Sequence, residues 1–235
     1  SLAVPAGNPY RGLQTFEAEH RALFFGRSLE SRAILERLRT DPFVLVAGDS
    51  GVGKYSLCRA GVLPSVVEGT LGEGRAWTVV RIIPGRHPLA ATAFALAPVL
   101  HVDETALFAR LCAEPRSLGY DLRNALGNTA GLVLFVDQLE ELVTLGEPGE
   151  VESFGLLAAQ LAAGIKGVRL LASLRSDFLT PLATIAGLGD EVSRAFYLLR
   201  PLAPENIREA IVGPARATGV DFESAQLVDT LVDST

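Results

Sequence analysis

The chain has 235 residues, of which 49% are hydrophobic and 20% are charged, and its formal net charge is −6 at pH 7. This length and composition allow a large buried core and fit one domain with part of a second. The acidic balance gives no overall basic field, so we expect neither nucleic acid nor a membrane as a partner. No apolar run approaches about 18 residues, no signal-peptide pattern is present and only two cysteines occur, which indicates a reduced, cytoplasmic protein.

The N-terminal part of the chain is expected to contain turns and short helical pieces. Residues 1–7 read as a loose lead-in, and residues 8–13 have the composition of a turn. Ser28 is the expected N-cap of a helix, because Glu30 lies in its first turn and apolar residues follow at helical spacing. This helix leads into the first strand.

The segment with the clearest chemistry is an apolar strand that ends in a glycine-rich turn and a lysine. Residues 43–48 form the strand, and residues 48–54 complete a Gly-x4-Gly-Lys pattern. In such a loop, backbone N–H groups surround phosphate groups, the lysine reaches the β and γ oxygens, and the next helix points its positive end at them. The residues expected to contact the nucleotide are Gly48, Asp49, Ser50, Gly51, Val52, Gly53, Lys54, Tyr55 and Ser56. A glycine-rich turn without a ligand is the alternative.

The motif departs from its usual form at Tyr55, where a Ser or Thr normally places a small hydroxyl on Mg²⁺. The phenol oxygen lies several bonds further out on a rigid ring and cannot reach that position. Ser56 points in a different direction from the helix start, so it is a poor substitute. We therefore expect Mg²⁺ to be weakly held, hydrolysis to be slow or absent, and Tyr55→Ser to restore both.

The rest of the chain alternates between strand and helix patterns. Strand patterns lie at residues 43–48, 77–83, 132–137, 168–175 and 195–199. Helical patterns lie at residues 90–100, 105–112 and 151–163, and again beyond Pro201, where Gly213 and Pro214 are expected to interrupt the helix. This alternation predicts a parallel α/β sheet covered on both faces. Cys58 and Cys112 are expected to be core thiols rather than ligands.

Three acids follow the third strand. Asp137 ends a fully apolar run, where an acid of a phosphate-loop protein holds Mg²⁺, usually through water. A carboxylate at the end of a buried strand is costly unless it has a partner. Glu140 and Glu141 come next, and they are either catalytic or a negatively charged first helical turn that complements the helix dipole.

Arg175 ends the next strand. Strand ends on this side of an open parallel sheet face the ligand crevice, so an arginine there could sense the γ-phosphate. An ion pair between Arg175 and Asp177, or another nearby acid, is the alternative from spacing alone.

These segments together resemble the STAND class of signalling NTPases, and most closely the bacterial branch that is often fused to WD-repeat sensor domains. The segments that carry the resemblance occur in order at residues 8–13, 23–27, 48–54, 59–64, 137–142 and 174–178. The resemblance covers about residues 8 to 232 and rests on several independent motifs.

The resemblance implies a P-loop NTPase three-layer sandwich, with an AAA-like parallel sheet in strand order 5-1-4-3-2, followed by a helical domain. Residues 1–27 would be the lead-in and adenine-side segment, 28–203 the NTPase domain, and 204–235 the beginning of the helical domain. The chain has no methionine and its helical pattern runs to its last residues, so we expect a segment of a longer protein.

The resemblance also implies an ATP/ADP switch. ADP would hold a closed monomer, while ATP and a trigger bound by downstream sensor repeats would allow self-oligomerisation and activate an attached effector domain. Related NACHT proteins carry an acid pair with a spacing similar to that of residues 137–141, so Glu141, then Glu140, is the candidate for positioning the attacking water. Arg175 would be the sensor. The residues implied at the adenine end are Phe25, Gly26, Arg27 and Pro214.

Two other functions stay open. A nucleotide-binding structural or interaction module without hydrolysis is supported by Tyr55. An enzyme of another P-loop type, such as a Ras-like GTPase, would need an Asn-Lys-x-Asp base reader. Lys166 is the only other lysine in the chain, and it follows Ile165 rather than Asn.

Overall fold

The structure is a computed structural model that describes residues 4–5, 7–12 and 14–234. Residues 1–3 and 6 of the expected lead-in, Leu13 of the first motif, and Thr235 lie outside the described residues. None of the helices in the described ranges is long and apolar enough to cross a membrane.

A five-stranded sheet forms the centre of the molecule, and every strand pairing in it is parallel. The strands are β1 (Phe43–Gly48), β2 (Ala76–Ile82), β3 (Ala130–Val136), β4 (Val168–Arg175) and β5 (Phe196–Leu198). Their order, β2-β3-β4-β1-β5, confirms the predicted order 5-1-4-3-2. All six residues of β1 are buried, as expected for a parallel strand covered on both faces.

Helices cover both faces of the sheet. They are α1 (Ser28–Thr40), α2 (Lys54–Ser56), α3 (Leu63–Val67), α4 (Pro88–Leu100), α5 (Glu104–Ala113), α6 (Leu118–Leu126), α7 (Glu141–Thr144), α8 (Pro148–Ala162), α9 (Leu179–Leu182), α10 (Gly189–Ala195), α11 (Pro204–Ala217) and α12 (Ala225–Asp233). A π-helical turn, Leu57–Val62, joins α2 to α3, and 3-10 segments occupy Ala18–Leu23, Pro115–Ser117 and Ser176–Phe178.

Alternate residues of the strands build two separate cores. Leu45 and Ala47 of β1 pack in the core under α4, α5, α6 and α8, while Val44 and Val46 pack in the core under α1 and α3. The two-residue period of a strand produces this division. Complete burial of a Val or Leu side chain stabilises the fold by about 1.5–3 kcal/mol.

Several local expectations were wrong. Helix α11 is not interrupted, since Pro214 lies inside it; it ends instead just before Gly219, whose φ of +75° is the left-handed conformation common after helix ends. Cys58 is a buried core residue as predicted, but Cys112 is exposed. Helices α6 and α10 were not predicted, although Leu118, Leu122 and Leu126 of α6 have helical spacing.

Helix α11 packs against the N-terminal segment. The hydroxyl of Tyr10 donates a hydrogen bond of 2.6 Å to the carbonyl of Ile211. Gly26 has a φ of +82°, and a Cβ at this position would lie 2.5 Å from the carbonyl oxygen of Asn206. Residues at the start and near the end of the chain therefore meet beside the phosphate loop. The domain boundary at residue 203 stays a prediction.

Candidate nucleotide-binding site

The predicted phosphate loop connects β1 to α2 at the carboxyl edge of the sheet. Gly51 and Gly53 have φ values of +80° and +93°, which only glycine adopts without strain, and a Cβ at either would meet open space. The glycines are therefore required by backbone conformation. Gly48 is required by packing, because its Cβ would lie 2.7 Å from the carbonyl oxygen of Leu199.

Lys54 lies inside this loop with only 2% of its surface exposed. Its Nζ donates hydrogen bonds of 2.8 Å to the carbonyl of Gly48 and 2.7 Å to that of Asp49. None of the ion pairs among the described residues involves Lys54. Burial lowers the pKa of Lys54 from its ordinary value. A buried ammonium without a counter-ion is costly, so the loop is suited to receive an anion.

Other groups of the loop, both side-chain and backbone, form hydrogen bonds with residues outside it. Asp49 accepts a hydrogen bond from Ser176, and the carbonyl of Val52 accepts one of 2.9 Å from Arg27. The hydroxyl of Ser56 accepts a hydrogen bond of 3.0 Å from the backbone N–H of Phe16. The hydroxyl of Ser56 therefore contacts the N-terminal segment. This is consistent with the expectation that Ser56 does not replace the small Mg²⁺-binding hydroxyl that is usual at position 55.

Asp137 comes directly after β3 and is fully buried. Its Oδ2 accepts hydrogen bonds from Nε, at 3.0 Å, and Nη2 of Arg59, and it lies 3.1 Å from Nη2 of Arg81. Its Oδ1 accepts a hydrogen bond of 2.7 Å from Oγ of Ser173. The sequence placed Asp137 correctly at a strand end, but its partners are protein side chains.

Ser173 shapes the turn that follows Asp137. Its Oγ accepts a hydrogen bond of 3.0 Å from the N–H of Gln138, and its carbonyl accepts one of 2.9 Å from Leu139. Gln138 has a φ of +59°, an unfavourable conformation for a residue with a side chain. Sequence reasoning missed Ser173, and the signal was a lone hydroxyl inside an apolar strand.

The two acids of the predicted pair lie in different places. Glu140 is buried beside the loop, where its Oε1 accepts a hydrogen bond of 3.0 Å from Tyr55 and its Oε2 one of 3.3 Å from the N–H of Arg175. Glu141 instead accepts a hydrogen bond of 2.9 Å from the N–H of Gly85, in the loop after β2. The contacts therefore place Glu140, rather than Glu141, beside the loop, whereas the family resemblance implied Glu141 first as the acid that positions the attacking water.

Tyr55 turns its ring toward the third strand, and its hydroxyl ends at Glu140. Burial, together with the negative charge of Glu140 and its hydrogen bond, raises the pKa of Tyr55 well above its ordinary value. The hydroxyl thus stays protonated and donates to the carboxylate.

Arg175 forms the ion pair that spacing left open. Its Nε and Nη2 donate hydrogen bonds of 3.2 Å and 2.7 Å to the two carboxylate oxygens of Asp177. Its guanidinium also lies 5.2 Å from the ring centre of Phe178. The side chain is 42% exposed, so this arrangement leaves it accessible to a ligand.

The residues predicted for the adenine end are brought together beside the loop. Arg27 joins the loop to the end of the sheet, because it donates hydrogen bonds of 2.9 Å to the carbonyls of both Val52 and Arg200. The ring of Phe25 lies directly against Gly213, where a Cβ would come within 2.4 Å of it. Pro214, the next residue of α11, is buried.

The loop fits the phosphate groups of a nucleotide, because a buried cation and left-handed glycines line it. The acids fit a metal ion poorly. Asp137 and Glu140 already accept hydrogen bonds on both of their carboxylate oxygens.

Several solved structures share this fold. A Walker-type ATPase of Pyrococcus abyssi matches with a TM-score of 0.61 and 15% identity, over 94% of this chain and 66% of that chain. The ORC2 protein of Aeropyrum pernix, in ADPNP–ADP complexes, matches with a TM-score of 0.58 and 14% identity, over 81% of this chain and 52% of that chain. The HORMA:CdnC:Trip13 complex of E. coli MS115-1 matches with a TM-score of 0.57 and 15% identity, over 94% and 77%.

At these identities the likeness establishes the fold alone. This chain spans 66% of the length of the first structure and 52% of the second. A search of curated proteins found no significant match. The family model described as Novel STAND NTPase 1 matches residues 9–235, which is nearly the whole chain. The chain therefore belongs to the Novel STAND NTPase 1 family, as the motifs predicted.

Proposed function

We propose that this chain is the ATP- and ADP-binding switch region of a larger signalling protein, with slow or impaired hydrolysis. The observation that supports it most directly is Lys54, a buried ammonium that forms no ion pair with any described residue and is held at the centre of a glycine-rich loop. Bound phosphate groups would supply the missing negative charge. Membership of an NTPase family supports the same ligand class.

Adenine is the proposed base. Phe25, Arg27 and the Gly213–Pro214 part of α11 lie together beside the loop and would surround it, and no Asn-Lys-x-Asp guanine reader occurs in the chain. Because α11 contributes to this site, nucleotide exchange would change how α11 packs on the N-terminal segment. Oligomerisation and control of an attached effector are part of the proposal.

A module without hydrolysis is the second candidate. The contact between Tyr55 and Glu140 favours it, since the best-placed acid is already engaged by a protein donor. Incubating the protein with ATP and Mg²⁺ and measuring phosphate release separates the two candidates.

Binding is tested by titrating fluorescent analogues of ADP and GDP into the protein, together with identification of any nucleotide released on denaturation. We expect tighter binding of the adenine analogue. Lys54→Ala should weaken it at least about tenfold, because it removes charge-assisted hydrogen bonds of about 1.5–3 kcal/mol. Lys166→Ala is the matched control, since Lys166 is exposed and lies just before β4, at the edge of the parallel sheet opposite the loop.

Thermal unfolding distinguishes lost binding from lost structure. Lys54→Ala removes a buried charge but also the donor of the Gly48 and Asp49 carbonyls, so the unfolding temperature of the nucleotide-free variant shows whether its structure is retained. Equal affinity for the two bases, or unchanged affinity in Lys54→Ala, would contradict the proposal.

A further inference from the structure

Both oxygens of the Asp137 carboxylate already have protein partners. An ionised carboxylate offers about four lone-pair sites. Oδ2 accepts two hydrogen bonds from Arg59 and also pairs with the guanidinium of Arg81, while Oδ1 accepts one hydrogen bond from Ser173. Mg²⁺ or a water of its shell would have to displace an arginine to reach Oδ2, and only Oδ1 keeps a free lone pair.

The charges around Asp137 also oppose a metal ion. The guanidinium groups of Arg59 and Arg81 both face this one carboxylate. Arg59 is held further by Glu17, which accepts a hydrogen bond from its Nη1. A divalent cation beside this carboxylate would be repelled by both arginines.

The remaining groups of the loop do not compensate. Tyr55 stands where a small hydroxyl would bind the ion, and its own hydroxyl donates to Glu140. Mg²⁺ requires near-octahedral oxygen ligands at about 2.0–2.1 Å. Within the described ranges, no three His, Cys, Asp or Glu side chains are grouped so that they could hold a metal ion.

We infer that this site binds a nucleoside diphosphate without a divalent cation, and that Arg59 and Arg81 keep Asp137 from serving as a metal anchor. The inference rests on the proposed function and names the form in which its ligand is bound. The phosphate charge is met by Lys54 and by the N–H groups of the loop. A diphosphate is favoured over a triphosphate, because it brings less charge that a metal would have to neutralise.

The test compares binding of a fluorescent ADP analogue in excess Mg²⁺ and in EDTA. For the wild-type protein we expect the same affinity in both. Mn²⁺ provides a direct readout, because electron paramagnetic resonance reports the free ion: addition of the ADP-loaded protein should not reduce the free Mn²⁺ signal.

The variant Tyr55→Ser/Arg81→Ala supplies a small hydroxyl and removes one of the two guanidinium groups that face Asp137. The affinity of this variant for the ADP analogue should be about tenfold higher in Mg²⁺ than in EDTA, equivalent to about 1.4 kcal/mol. Tyr55→Ser alone should gain less, because Arg81 still occupies Asp137. Tyr55→Ser/Arg86→Ala is the control for loss of an arginine, since Arg86 is exposed and pairs with Glu147 instead.

The wild-type comparison does not depend on whether any variant folds. A wild-type affinity that rises about tenfold with Mg²⁺ would overturn the inference while leaving the proposed nucleotide site intact. Absence of ADP binding in both Mg²⁺ and EDTA would overturn the proposed function, and the inference with it.

Discussion

The hydroxyl of Tyr55 donates a hydrogen bond of 3.0 Å to Oε1 of Glu140, across 85 positions of the chain. The residue at the usual metal-ligand position of the loop is therefore hydrogen-bonded to an acid that is buried beside the loop. The contact joins the loop helix to the turn after β3, so any movement of one affects the other.

Tyr55→Phe should lower the free energy of unfolding at neutral pH by about 1–3 kcal/mol, because the buried Oε1 of Glu140 loses its donor. The pH dependence of the free energy of unfolding should also change at alkaline pH. A tyrosine whose folded pKa is raised stabilises the fold below its unfolded pKa of about 10, and this stability is lost as the pH rises above that value.

The wild-type protein should therefore lose stability more steeply above about pH 10 than Tyr55→Phe does. Burial also raises the pKa of Tyr10 and Tyr197, but these residues are common to both proteins. Denaturant unfolding over a pH series measures the difference, with Tyr120→Phe, at an exposed position, as the control. Parallel pH profiles for the wild type and Tyr55→Phe would show that the hydrogen bond has no energetic role.

Glu140→Gln should slow ATP hydrolysis more than Glu141→Gln does, because Glu140 lies beside the loop and Glu141 is bound to Gly85. Single-turnover phosphate release with enzyme in excess measures even a slow rate. A carboxamide at position 141 can still accept the hydrogen bond from Gly85, which makes Glu141→Gln the matched control. The opposite order of rates would support Glu141 as the family resemblance implied.

Arg175→Ala should weaken ATP binding more than ADP binding if this residue contacts the γ-phosphate. Asp177→Asn is the informative partner variant, because it removes the charge that now holds the guanidinium. Freed from that ion pair, Arg175 should bind ATP more tightly while ADP affinity stays the same. If both variants change the affinities for ATP and ADP by the same factor, or not at all, Arg175 is a structural partner of Asp177 only.

Ser173→Ala should reduce the free energy of unfolding by about 1–3 kcal/mol, because a carboxylate oxygen of Asp137 and the N–H of Gln138 both lose their partner in a buried site. Thr184→Ala removes an exposed hydroxyl that donates to the carbonyl of Pro181, and should change stability by less than about 0.5 kcal/mol. Chemical denaturation measures both. Equal effects of the two substitutions would mean that Ser173 does not hold the turn after β3.

The local pattern of the sequence determined the phosphate loop and the strands that surround it. A glycine-rich turn between an apolar strand and a lysine has few other interpretations, and the fully apolar runs specify strands covered on both faces. The strand order came from the family resemblance of several motifs taken together. Helix α11 was misjudged at Pro214, because tertiary packing overrides the helix-breaking preference of a single residue.

Only the tertiary structure decided which side chains meet at the site. Arg59 and Asp137 are 78 positions apart, and Arg81 reaches Asp137 because β2 and β3 are neighbours in register. A sequence pattern specifies the period of an element but not the partner that a side chain finds across the sheet. Glu140 and Glu141 are adjacent in sequence, yet the start of α7 directs one to Tyr55 and the other to Gly85. The surroundings of each acid, and hence its chemistry, are set by these long-range contacts.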